Sequence, residues 1–118
     1  MISGVLSSEK LLNIDRGLAV MGSDAVLRKI LESVHVSLTP YIPEIWQALA
    51  DADVKTVHRL LHDIKGYAPI FCSDALVEQI MQVEGLSRTE TAAAVHPFFA
   101  ELAPRLKGLL AEIRVYLA

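Results

Sequence analysis

Leu27, Ile30, Leu31, Val34, Leu38, Ile42, Ile45 and Leu49 recur at spacings of three and four. That period keeps one apolar stripe facing the same way for about seven turns of α-helix, and nothing in it suits a strand. Pro40 and Pro43 fall inside the run. Each removes a backbone donor and clashes one turn back, so a kink or break is expected near residues 37–41. Thr39-Pro40 could serve as a fresh N-cap and first helical residue. The unbroken apolar period favours one kinked helix.

The same logic places four more helices. Leu11, Leu12, Ile14, Leu18 and Met21 give a first helix over about 8–21, capped by Ser7 or Ser8 and stopped by Gly22. Ser23-Asp24 opens the long helix, 24–50. Asp53 caps a third helix, 53–70, and Ser73 or Asp74 a fourth, 74–86, which Gly85 to Arg88 should end. A last helix covers 90–117, with Val95, Phe98, Leu102, Leu106, Leu109, Ile113 and Tyr116 inward and bends at Pro97 and Pro104. Residues 1–7 read as a tail. No stretch alternates apolar and polar side chains convincingly. The expectation is one all-α domain over 1–118, an up-and-down antiparallel four-helix bundle with an additional N-terminal helix.

Bulk properties narrow the function classes. Apolar residues make up 53% of 118, which is globular and not disordered. A net charge of -3 carries no nucleic-acid footprint. Mean hydropathy is +0.39, but the longest charge-free runs, 33–43 and 91–100, are too short to span a bilayer. The N-terminus lacks a basic leader, so no signal peptide is expected. Cys72 is alone, which rules out an internal disulfide. These features fit a cytoplasmic protein that binds neither membrane nor nucleic acid. No phosphate-cradling glycine loop is present, so the chain should not bind ATP by itself.

The most specific stretch is His58 to Gly66, His-Arg-Leu-Leu-His-Asp-Ile-Lys-Gly. On a helical wheel with Val54 at zero, Val57, Leu60, Leu61, Ile64 and Ala68 span roughly 240° to 360°. His62 falls near 80°, about 140° from the centre of that stripe, and should face water. Lys55, Arg59 and Gly66 fall near 100°, 140° and 120°, while His58 and Lys65 lie at the border of the two faces. His58 and His62 stand at the i, i+4 spacing of a helical zinc pair. Arg59, however, occupies the place of a metalloprotease glutamate, and no third ligand is evident, so no metal is expected. A water-facing imidazole among cations suits phosphoryl chemistry better. Neutral imidazole is a competent nucleophile near neutral pH, and Lys55, Arg59 and Lys65 offer positive charge for the transferred oxygens. The plainer reading makes His62 an ordinary surface histidine and the cations a solvated face. His35 and His96 read as structural or surface residues.

His62-Asp63-Ile64-Lys65-Gly66 followed by Ala68 resembles the His-x-Leu-Lys-Gly-x-Ala signature of histidine-containing phosphotransfer (HPt) domains. Ile14-Asp15 to Asp24, the end of the long helix at 48–53, and Val83-Glu84 are similar to that family's layout. Leu61, Tyr67 and Cys72 depart from its usual small residues. The resemblance implies a helical bundle that carries a phosphoryl group on its histidine between aspartates of receiver domains. By it His62 is the phosphoryl acceptor and donor, Lys65 the nearby cation, and Gly66 the small residue at the docking face. Lys55, His58 and Arg59 become phosphate- or partner-binding residues. The implied partners are the receiver domain of a response regulator or of a hybrid sensor kinase. Such a chain is a phosphocarrier and not an enzyme in the ordinary sense. It needs no cofactor of its own, the Mg²⁺ residing on the receiver. The alternative is a helical binding module that docks a receiver or kinase without taking phosphate.

Overall fold

A computed structural model describes residues 9–118. The tail 1–7 and the caps expected at Ser7 or Ser8 lie outside the described residues. Five helices follow in order: α1 (Ile14–Met21), α2 (Asp24–Ala50), α3 (Val54–Phe71), α4 (Asp74–Thr89) and α5 (Ala92–Leu117). α2 packs on α3 and α5, and α4 packs on the same two, closing a four-helix ring. The links between consecutive ring helices are two or three residues long, so neighbours run antiparallel. α1 lies across α2 and α3 as the extra N-terminal helix.

Local chemistry sets the ends. Ser23, Asp53, Ser73 and Thr91 each accept a backbone N–H three residues on, satisfying a donor that the first helical turn leaves open. Gly22 stops α1 at φ 86°, a left-handed conformation that costs glycine little. α2 runs unbroken through Pro40 and Pro43, because its apolar stripe is buried along the whole length. Burying each such side chain contributes about 1.5–3 kcal/mol, which offsets the donors lost at proline.

Three expectations need correction. The first helix begins at Ile14 and not near residue 8. Leu11 to Asn13 are extended instead. Leu12 forms an antiparallel bridge with Cys72, and the Glu112 carboxylate accepts the N–H groups of Leu11 and Leu12. A partner 100 residues away in sequence thus overrides local helix propensity. α4 passes through Gly85 and ends at Thr89, held by the i, i+4 pair of Glu84 and Arg88. On α5 the buried ring is Phe99, and Phe98 is exposed. Phe99 sits one turn after Val95 and meets Trp46 edge to face at 4.9 Å.

Candidate functional site

α3 carries the site, and its core stripe fixes its rotation. Val57, Leu60, Leu61, Ile64, Ala68 and Phe71 are all buried. With that face locked inward, His62 points out, its side chain 65% exposed. Asp63 is exposed beside it and accepts the Tyr41 hydroxyl at 2.8 Å, tying α3 to α2 at this level. That carboxylate raises the Tyr41 phenol above its ordinary value. Gly66 is exposed, and a Cβ added there would meet nothing within 4 Å.

The border residues turn toward α4. His58 Nε2 lies 3.0 Å from Glu84 Oε2, and Lys65 Nζ lies 3.5 Å from Glu84 Oε1. His62 Nδ1 stands 3.6 Å from the same Oε2, within ion-pair reach and just beyond a good hydrogen bond. From α4 itself, Arg88 brings Nη2 to 3.1 Å of Oε1 and Nε to 3.3 Å of Oε2. Glu84 is only 1% exposed. Burial alone would raise its carboxyl, but hydrogen bonds from Arg88 and His58 and the charges of Lys65 and Arg88 outweigh it. The result is a group held down at about 2, ionised across the physiological range. An ionised carboxylate only accepts, so His58 Nε2 carries the proton and donates. With both histidines neutral, two cations around one carboxylate leave the cluster with one unit of positive charge.

Lys55 and Arg59 sit on the exposed side of α3, as the wheel places them, and neither forms an ion pair among the described residues. The remaining histidines are elsewhere. The backbone carbonyl of His35 accepts the Thr39 hydroxyl, and the exposed His96 ring leans on Trp46 at 5.2 Å. Tyr67 turns inward and stacks on Phe71, with ring centroids 5.8 Å apart. Cys72 is fully buried, and burial pushes its thiol up to about 12.

The sequence reading put Glu84 in the general layout and gave it no role, and it passed over Arg88. A signal was present. Leu76, Ile80, Val83 and Ser87 define the buried face of α4, and Glu84 falls inside it. A carboxylate on an apolar stripe needs a cationic partner or it loses its charge. The structure supplies the partners from α3. It also supplies what the histidine pair lacked, a third donor: nitrogen atoms of His58 and His62 and an oxygen of Glu84 all lie within 4.8 Å of one another.

Among the described residues no helix is long and apolar enough to cross a membrane. Comparisons with known protein families, with curated proteins and with solved structures found no match to this chain.

Proposed function

We propose that the protein is a histidine phosphotransfer protein that relays a phosphoryl group between receiver-domain aspartates in a multistep phosphorelay. The observation that carries this reading is the setting of His62. Its ring is exposed on a rigid helix, and its Nδ1 faces the buried, ionised Glu84. That carboxylate favours a proton on Nδ1, which leaves the Nε2 lone pair for a partner.

The chemistry balances simply. His62 Nε2 attacks the phosphorus of a receiver's aspartyl phosphate. The N–P bond forms, the P–O bond to the aspartate breaks, and the carboxylate leaves with its electron pair. The Nδ1 proton stays on the ring, where Glu84 offsets the positive charge that develops. Transfer onward reverses each step on a second receiver. Lys65, Lys55 and Arg59 supply positive charge to the phosphoryl oxygens or to the acidic site of the receiver. The open surface over Gly66 lets the receiver approach closely. No step requires a cofactor bound to this chain; the Mg²⁺ belongs to the receiver.

The test is incubation with phosphorylated receiver domains from the same genome. The expected result is acid-labile, alkali-stable label on the protein that His62→Gln abolishes. Tight binding to a receiver with no label would replace the phosphocarrier with a docking module of the same fold. Neither label nor binding would leave a helical scaffold.

A further inference from the structure

We infer that His58, His62 and Glu84 form a binding site for a borderline transition-metal ion of the Zn²⁺ type. The inference goes beyond the phosphocarrier reading and stands on geometry alone.

A tetrahedral Zn²⁺ ion takes nitrogen and oxygen ligands at about 2.0–2.1 Å, which sets its ligands roughly 3.3 Å apart. His58 Nε2 and His62 Nδ1 stand 3.0 Å and 3.6 Å from Glu84 Oε2, either side of that separation. The i, i+4 spacing on α3 presents both rings on one side, their centroids 5.9 Å apart. α4 brings the carboxylate to them from below. The fourth position opens to solvent on the His62 side, where the ring is 65% exposed, so an ion has a way in and a water can complete the set.

The two cations do not close the site. Lys65 Nζ and Arg88 Nη2 pair with Oε1, the oxygen turned away from the imidazoles. Arg88 Nε alone reaches Oε2, at 3.3 Å. These contacts orient the carboxylate as an outer shell of donors orients a metal ligand. Their charge also selects the ion. A hard cation that lives on oxygen gains only one carboxylate here and meets two positive neighbours. An ion with strong affinity for imidazole gains two nitrogens. The site therefore takes Zn²⁺ and refuses Mg²⁺.

Binding shifts a proton within each ring. His58 Nε2–H donates to Glu84 in the metal-free protein, and ligation needs that nitrogen's lone pair. The proton moves to Nδ1, and the ring stays neutral. His62 binds through Nδ1, so the proton that faces Glu84 in the metal-free protein moves to its Nε2.

The experiment is calorimetric titration of the full chain with Zn²⁺, repeated with Co²⁺ for its visible spectrum and with Mg²⁺. The expected result is one Zn²⁺ per chain, a tetrahedral Co²⁺ spectrum and no Mg²⁺ binding. His58→Gln, His62→Gln and Glu84→Gln should each weaken Zn²⁺ binding by more than about tenfold, since even outer-shell losses reach that. His35→Gln and His96→Gln should bind as the parent does. Nitrogen-15 spectra of the imidazoles should show Zn²⁺ shifting His58 Nε2 and His62 Nδ1. Absence of saturable one-to-one binding overturns the proposal. So does affinity unchanged in His58→Gln or His62→Gln chains whose circular dichroism is intact. A chain that binds Zn²⁺ but takes no phosphoryl group upholds this site and removes the phosphocarrier reading, and the converse result does the opposite.

Discussion

His58 Nε2 donates to Glu84 Oε2 across 3.0 Å, and that bond joins the helix face bearing His62 to the interior of α4. Glu84 is the only charged residue among the described ones to be fully buried, and every partner of its carboxylate is basic. Breaking a wholly buried ion pair costs about 3–5 kcal/mol. Here the partners are between 28% and 54% exposed, apart from His62 at 65%, and regain water when the carboxylate goes. Glu84→Gln should therefore destabilise the fold by about 1–3 kcal/mol, the cost of a lost hydrogen-bond acceptor in a buried place. Urea denaturation should show a lower midpoint with an unchanged slope. An unchanged midpoint would mean that desolvation of the carboxylate cancels its pairing.

His62→Gln should leave the fold intact. The side chain is exposed and contributes no core contact, so the stability change should stay within about 0.5 kcal/mol. Phosphoryl transfer should vanish in this variant and persist in His35→Gln and His96→Gln. Label surviving in a folded His62→Gln chain would move the acceptor elsewhere.

The cations should separate into two kinds. Lys65 is paired with Glu84, the carboxylate that His62 Nδ1 also faces, so Lys65→Ala should slow transfer most. Lys55 and Arg59 are exposed without a carboxylate partner among the described residues. Their removal should act through encounter with an acidic receiver site, a contribution screened by salt over about 10 Å at 0.1 M. Transfer measured against ionic strength should lose part of its slope in Lys55→Ala and Arg59→Ala. An identical slope in all three variants would make these residues a solvated face.

Cys72 should be inert. Its thiol is fully buried and pushed up to about 12, whereas a free cysteine titrates near 8.5. Alkylation of the native protein should be slow. Its rate should stay low and keep rising through about pH 9, without the levelling that a free thiol shows near 8.5. Fast labelling that follows a free thiol's pH profile would show that the bridge from Leu12 opens readily.

The bundle was legible because its signals are local. The apolar period of α2, the caps Ser23, Asp53 and Ser73, and the stop at Gly22 all act within a few residues. The wheel of α3 predicted the exposure of His62 and the border positions of His58 and Lys65 for the same reason. The extension at Leu11 to Asn13 was not legible, since Glu112 and Cys72 impose it from far along the chain. Glu84 was hidden in another way. Its burial follows from the α4 period, but all its partners except Arg88 lie 19 to 26 residues earlier on another helix. Only the packing of α3 on α4 reveals that one carboxylate organises both histidines.

Two helical glycines should respond oppositely to the same substitution. Glycine inside a helix costs about 1 kcal/mol relative to alanine, so alanine gains wherever a methyl group fits. At Gly66 a Cβ meets nothing within 4 Å, and Gly66→Ala should stabilise the protein by about 0.5–1 kcal/mol. At Gly17 a Cβ would fall 2.8 Å from Leu27 Cδ1, a side chain fully buried at the top of α2. Leu27 would have to shift against the core that surrounds it, and Gly17→Ala should destabilise by about 1–3 kcal/mol, as overpacking does. Thermal melts of the two variants should move in opposite directions. The larger Gly66→Gln side chain tests what the open surface is for. The fold should hold, because the position faces outward, while transfer from a phosphorylated receiver and back should be blocked by a side chain standing one turn from His62. A folded Gly66→Gln chain that transfers at the parent rate would mean that the receiver does not approach over Gly66, and the docking face would have to be sought on the α4 side of His62.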